Sequence, residues 1–167
     1  GAIYGDVLAN LLIFNGNKVT KEYYINDYGV QIKNFVESVY LRIIEIKYKK
    51  EFPKNENLYP GLYIKDIAKK IIQENVKNDF SEFEKNFNFL KKESLKYSME
   101  LIKKDLKLLG VSHDIFFSES EIVKKDLVNK AVNRLKEKNF VEEGFLQPPK
   151  GETNENWKKI KRLIFKS

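Results

Sequence analysis

The stretch KEYYINDYGVQI, residues 21–32, joins a strand-like segment to a helix-like one. Aromatic and β-branched residues at 23–25 favour a strand, and an amphipathic helical pattern begins after Gly29. Asn26 and Asp27 stand between the two. In open α/β sheets the carboxyl end of a strand is where ligands bind, because loop backbone and short polar side chains converge there.

Two interpretations of this junction are open. In the first, Asn26, Asp27, Gly29 and Gln31 border a ligand site. In the second, they form only a turn, because Asn and Asp side chains bond to their own backbone and glycine accepts positive φ. The spacing of the residues alone favours the second interpretation.

Composition limits the class of protein. With 167 residues and 42% hydrophobic content, the chain is expected to form one domain or a large piece of one. It has no cysteine, which excludes disulfides and thiolate metal sites and favours an intracellular setting. No apolar run approaches the ~20 residues needed to span a bilayer, so we expect a soluble protein. The net charge of +7 suits a polyanionic partner, but solvated helix faces would have the same composition.

Apolar spacing and turn signals predict the elements of the first 110 residues. They are a helix over 3–14 ended by Gly16, a strand over 18–25, a long helix over 30–50, a loop over 52–61, a helix over 64–72, and a helix opened by a Ser81/Glu84 capping box.

The remaining residues return to a mixed pattern. We predict a short strand within VSHDIFFSES (111–120), a helix through Leu135 opened by a second capping box (Ser118/Glu121), a small hairpin in NFVEEGFLQPP with its bend at 142–144, a polar linker over 150–156, and a strand over 160–166.

Glu119 lies where the predicted strand meets the next helix. An acid in a first helical turn can simply complement the helix dipole. It can equally be a carboxylate aimed into a ligand crevice, able to bind a cation bidentately. The lone histidine, His113, is expected to be a strand residue with an ordinary hydrogen bond, and no metal site, nucleophilic triad or glycine-rich phosphate loop is predicted.

Three segments in order, GAIYGDVLANLL, TKEYYINDYGVQI and HDIFFSES, resemble the class I arginyl-tRNA synthetases. In that family a HIGH-type signature is followed by G-x-x-x-G-D-x-L-A-x-x-L, then E-Y-Y-I-N-D-x-G-x-Q, and later F-D-x-x-x-S-E-S. His113 departs from the usual Phe. The resemblance covers most of the chain.

The resemblance implies an α/β fold, part of a Rossmann-like class I synthetase catalytic domain with a largely helical insertion. Residues 1–50 would be nucleotide-fold helix, strand and helix, residues 51–110 the helical insertion, and residues 111–167 the return to the sheet. It also implies that the HIGH-type and KMSKS-type signatures lie outside this chain, so we expect these residues alone to be inactive.

Residue roles follow from the same resemblance. Glu119 matches the family acid that contacts the substrate guanidinium, and Asn26, Asp27, Gly29 and Gln31 match the loop bordering the active-site crevice. The catalytic signature residues are not in the sequence, and no metal ligand is assigned.

The implied activity is ATP-dependent activation of L-arginine and its transfer to tRNA(Arg). ATP, with the Mg²⁺ that accompanies it, would be a substrate, and no bound prosthetic group is expected. The implied protein is a cytoplasmic monomer without membrane association. The alternative is a non-catalytic, basic helical module that binds RNA or protein.

Overall fold

The computed structural model describes residues 1–146 and 160–166, which belong to two compact units, Gly1–Ser120 and Glu121–Ser167. The division into 1–50, 51–110 and 111–167 stays a prediction. Within the described residues no helix is both long enough and apolar enough to cross a membrane.

The elements follow one another as a mixture of helices and short strands. In chain order they are α1 Ala2–Phe14, β1 Glu22–Ile25, α2 Val30–Tyr48, α3 Leu62–Glu74, α4 Phe83–Leu108, β2 Ile115–Ser118, α5 Glu119–Lys124, α6 Leu127–Glu137, β3 Val141–Phe145 and β4 Lys161–Phe165.

The core of the first unit lies between α2, α3 and α4. Apolar residues recur at three- and four-residue spacing in each helix, which puts them on one face, and burial of that face stabilises all three helices together. The fully or almost fully buried members are Val36, Val39, Ile43, Ile64, Ile67, Ala68, Ile71, Phe80, Leu90 and Tyr97. The amphipathic helices predicted over 30–50 and 64–72 are therefore confirmed.

A buried serine fastens the loop before α3 to this core. The Ser38 hydroxyl donates to the Asn34 carbonyl at 2.6 Å and accepts from the Tyr59 backbone N–H at 2.9 Å. Because a buried polar group is costly when unpaired, this pairing lets a serine sit inside the apolar face of α2. The segment over 52–61 is a loop, as predicted.

The two strands of the first unit form a parallel pair, with Glu22 opposite Ile115 and Ile25 opposite Ser118. At the amino end, the Asp114 carboxylate accepts from the Lys21 backbone N–H at 2.8 Å, and the Asp114 N–H donates to the Lys21 carbonyl at 2.8 Å. The predicted strand over 18–25 is shortened to its last four residues, which are the ones that β2 pairs.

The first helix presents most of its apolar residues to solvent. Ile3, Val7, Leu8, Leu11 and Leu12 are 40–58% exposed, and the buried residue of the helix is Ala9. The helix ends as predicted, with Gly16 at φ 83°, a left-handed conformation that favours glycine.

The predicted capping box at Ser81 is wrong. The helix begins at Phe83, and its cap residue Glu82 makes no side-chain capping bond. Ser81 is held elsewhere, because Asp79 two residues earlier accepts from both its hydroxyl (2.8 Å) and its backbone N–H (2.9 Å). The next helix does begin at Glu119, directly after Ser118.

Two predictions for the second unit are also wrong. The single helix expected through Leu135 is two helices, because Asp126 adopts a left-handed conformation (φ 56°) between them. The hairpin with its bend at 142–144 is instead one strand, β3, which pairs antiparallel with β4 from Val141–Phe165 to Phe145–Lys161.

The partner strand β4 is far along the chain, so the local turn signal was misleading. Gly144 packs against Ile164, and an added Cβ would clash with the end of the Ile164 side chain. The strand predicted over 160–166 is confirmed as Lys161–Phe165, and the linker predicted over 150–156 lies outside the described residues.

The packing of α3 can be tested with two truncations on the same helix. Ile67 is 1% exposed and Leu62 is 78% exposed. Ile67→Ala should lower the free energy of unfolding by about 2–5 kcal/mol, because it removes buried methyl groups and leaves a cavity. Leu62→Ala should change it by about 0.5 kcal/mol or less. Urea denaturation of both variants measures this, and equal effects would contradict the described core.

Candidate functional site

The parallel register brings two distant loops together. Ile25 lies opposite Ser118 at the last pair of the β1–β2 ladder. The residues that follow β1, Asn26 and Asp27, therefore meet Glu119, the first residue after β2. The sequence predicted that these candidates border one crevice, and the structure places them side by side.

The Asp27 carboxylate spans the junction with three strong hydrogen bonds. Its Oδ1 atom accepts from the Ser120 backbone N–H at 2.7 Å, and its Oδ2 atom accepts from the Ser118 and Ser120 hydroxyls, each at 2.7 Å. The two hydroxyl oxygens lie 3.0 Å apart. Both carboxylate oxygens of Asp27 thus accept hydrogen bonds from the two residues that flank Glu119.

The charge state of Asp27 follows from this geometry. Burial raises the pKa of Asp27, but the hydrogen bonds from Ser120 and Ser118 favour the charged form and hold the pKa below its ordinary value. The group is therefore a carboxylate over the whole neutral range.

Glu119 is half-buried and has polar neighbours from β1 and its following loop. With the Asn26 amide oriented so that both its groups find partners, the amide nitrogen donates to Glu119 Oε2 at 3.1 Å and to the Tyr28 carbonyl at 3.2 Å. Burial raises the pKa of Tyr24, and the adjacent Glu119 carboxylate raises it further by its charge and by accepting a hydrogen bond. Tyr24 is therefore a neutral phenol that can donate to Glu119.

Gly29 and Gln31 occupy the start of α2. Gly29 precedes the helix at φ 87°, which a side chain would strain, although the space around its Cα is open. Gln31 is exposed, and its side-chain amide lies 3.1 Å from that of Asn26. The structure therefore contains the turn of the second interpretation and also groups its polar side chains beside Glu119.

An apolar cavity of about 260 Å³ adjoins this group. Tyr24, Asn26 and Gln31 line it on the side of the strand ends. The rest of its wall is largely aromatic and aliphatic, from Tyr23, Ile25, Ile32, Phe35, Tyr59, Tyr63, Leu95, Met99 and Ile102, with Ser98. Apolar walls with a few convergent polar groups are typical of small-molecule sites.

Sequence reasoning missed three members of the site. Ser118 was interpreted as a helix cap, Ser120 was given no role of its own, and Tyr24 was interpreted as a strand residue alone. The period-two alternation of the strand carried a signal for Tyr24, since it sits one residue from the carboxyl end of β1. No local sequence pattern indicates that Ser118 and Ser120 bond to an aspartate that lies 91 and 93 residues earlier, respectively.

His113 precedes β2 and does not have the predicted ordinary hydrogen bond at Nδ1. That buried nitrogen has no partner among the described residues. The ring is held by aromatic packing, edge-on to Tyr23 at 5.4 Å between centroids and against Phe116 at 6.0 Å. In the part of the chain that the structure describes, no cluster of three or more His, Asp or Glu side chains could hold a metal ion.

The chain is similar to several known proteins. No protein-family model matches the chain. The arginine–tRNA ligases of Pelagibacter ubique and Ehrlichia chaffeensis are 49% and 46% identical over 100% of the chain, which covers 29% of each relative. A crystal structure from Campylobacter jejuni, provisionally assigned as an arginyl-tRNA synthetase, superposes with a TM-score of 0.74 at 32% identity, over 86% of this chain and 31% of that one.

These similarities show that the chain is homologous to aminoacyl-tRNA ligases. More particularly, it is homologous along its whole length to arginine–tRNA ligases, with identities of 42–49% among relatives from Pelagibacter, Ehrlichia and Wolbachia. The chain spans about 29% of the length of these relatives.

The lowered pKa of Asp27 predicts how this junction responds to acid. A carboxylate whose pKa is lower in the folded state stabilises the fold above its unfolded pKa. That contribution is lost as the pH falls from the unfolded pKa through the folded pKa. The stability difference between the unmodified protein and Asp27→Asn should therefore be full at neutral pH and shrink in that acidic window.

Urea denaturation at a series of pH values measures this difference. Asp66→Asn, which removes an exposed carboxylate on α3, is the control and should change the free energy of unfolding little. A stability difference for Asp27→Asn that stays constant through the acidic range would contradict the assignment.

Proposed function

We propose that the full-length protein is an arginine–tRNA ligase and that this region supplies the carboxylate that recognises arginine. In the first step the arginine carboxylate attacks the α-phosphate of ATP, and pyrophosphate leaves. In the second, the terminal ribose hydroxyl of tRNA(Arg) attacks the activated carbonyl, and AMP leaves. The observation that carries the proposal is the position of Glu119 at the joined carboxyl ends of β1 and β2, in a chain homologous throughout to arginine–tRNA ligases.

Glu119 has the chemistry that a guanidinium requires. A planar guanidinium presents paired N–H donors, and a carboxylate accepts them bidentately. Asn26 and Tyr24 approach the same carboxylate, so they can fix its orientation. Both also line the 260 Å³ cavity, whose apolar wall suits the methylene stem of the amino acid.

The remaining features of the proposal concern the whole protein. The parallel β1–β2 pair supports a Rossmann-like sheet with its ligands at the carboxyl edge, and α3 and α4, which both lie within residues 51–110, support a helical insertion there. ATP enters with Mg²⁺, tRNA(Arg) is the polyanionic partner that the +7 charge suits, and the protein acts as a cytoplasmic monomer. The chain spans about 29% of the length of the relatives, and we expect these residues alone to be inactive.

The role of Glu119 predicts a substrate-specific defect. Glu119→Gln keeps the shape and one acceptor but removes the charge that strengthens hydrogen bonds to a guanidinium, which are worth roughly 1.5–3 kcal/mol each. In the full-length protein, kcat/KM for arginine should fall about ten-fold or more, while the affinity for ATP changes little. Steady-state aminoacylation with each substrate varied in turn measures both.

Glu22→Gln is the matched control, since it makes the same change at the opposite end of the β1–β2 pair. It should leave arginine kinetics unchanged. If Glu119→Gln also leaves them unchanged, Glu119 is only a helix-terminus acid and is removed from the site. If the full-length protein binds tRNA but charges no amino acid, the alternative of a basic binding module is favoured.

The planar site also predicts discrimination between cationic amino acids. An ammonium is a point charge that cannot satisfy both oxygens of a carboxylate in the fork geometry of a guanidinium. The full-length protein should therefore charge tRNA with arginine and not with lysine. Aminoacylation assays with both amino acids decide it, and lysine charging at comparable efficiency would overturn the specificity.

A further inference from the structure

The turn over 118–120 carries Glu119 between two serines that both bond to Asp27. The side chain of Asp27 accepts from the hydroxyl before Glu119, from the hydroxyl after it, and from the backbone N–H after it, each at 2.7 Å. Three bonds from one rigid carboxylate fix the position of Cα in residue 119 and the direction in which its side chain leaves the backbone.

Asp27 is poorly placed to contact a substrate directly. Its two oxygens accept all three of these bonds, which uses most of the lone pairs that point away from its own loop. The carboxylate is also partly buried. Burial raises its pKa, but the same hydrogen-bond donors outweigh this effect and hold the pKa below its ordinary value. The carboxylate faces the turn that carries Glu119.

We propose that Asp27 is a positioning residue that holds the Glu119 carboxylate in its arginine-binding orientation through Ser118 and Ser120. This inference rests on the proposed function of Glu119. It adds that specificity for arginine depends on the three hydrogen bonds between Asp27, in the loop after β1, and the turn after β2. We call these three bonds the latch. Small misplacements of a binding group are costly, since about 1 Å can reduce a rate by about a hundred-fold.

A double-mutant cycle tests this in the full-length protein. Asp27→Ala alone should reduce kcat/KM for arginine by about ten-fold or more, with the KM for ATP little changed. In the Glu119→Gln background the same substitution should cost less than about two-fold further, because a residue that acts only through Glu119 has nothing left to position. Asp27→Asn, which keeps an acceptor for the Ser120 N–H, should recover part of the loss.

Asp114→Ala is the matched control. Asp114 also clamps the strand pair through a backbone N–H, but at the amino end, where its carboxylate accepts from Lys21. Its removal should lower the melting temperature and leave arginine kinetics unchanged. If it impairs arginine use as much as Asp27→Ala does, general loosening of the strands explains the result and the positioning role is overturned.

Hydrogen exchange at the Ser120 amide provides a readout that is independent of catalysis. Asp27→Ala should abolish the protection of this amide, and Ser120→Ala, a milder change that keeps the amide bond to Asp27, should preserve it. Unchanged protection in Asp27→Ala would overturn the latch, and so would additive losses in the cycle. If protection is lost in Asp27→Ala while Glu119→Gln leaves arginine use intact, the latch stands and the proposed function of Glu119 fails.

Discussion

The parallel pairing of β1 with β2 is the constraint on which the site depends. Only four residues pair in each strand, and the last pair sets Ile25 opposite Ser118. If the pairing slipped by one residue, every side chain of β1 would move to the opposite face of the sheet. Asp27 would then lie out of reach of Ser118 and Ser120. Asp114 and Lys21 secure the amino end of the pair, and Asp27 secures the carboxyl end.

A short strand pair cannot hold that register without help from the helices. The chain leaves β1, forms α2, α3 and α4, and returns to β2 nearly ninety residues later. The apolar core of the three helices supplies the free energy that offsets the entropy of closing such a long loop. The core therefore affects the site indirectly, because it determines where the two strand ends meet.

Part of this arrangement could be predicted from the sequence because it follows from local rules. The inward faces of α2 and α3 follow from residue spacing, and positive φ at Gly16 and Gly29 follows from glycine at a helix boundary. The position of Asn26, Asp27 and Glu119 at strand ends followed from the sequence and from the rule that ligands gather there, whereas their meeting depends on the parallel pairing that the structure shows.

The parts that could not be predicted depend on partners far away in sequence. Glycine at position 144 looked like a bend, but β4 supplies a ladder and a close side chain that make it a strand residue. Ser81 had the spacing of a helix cap, but a nearer aspartate bonds it. In the same way, nothing local to Ser120 reveals that its amide and hydroxyl bind Asp27.

The central claim is that the Glu119 carboxylate, held at the joined strand ends, receives the arginine side chain. A crystal structure of the full-length protein with bound L-arginine tests it most directly. The account predicts guanidinium nitrogens about 2.7–2.9 Å from the Glu119 oxygens, with Asp27 still bonded to Ser118 and Ser120. A guanidinium bound to another group, with Glu119 outside hydrogen-bond distance, would contradict it.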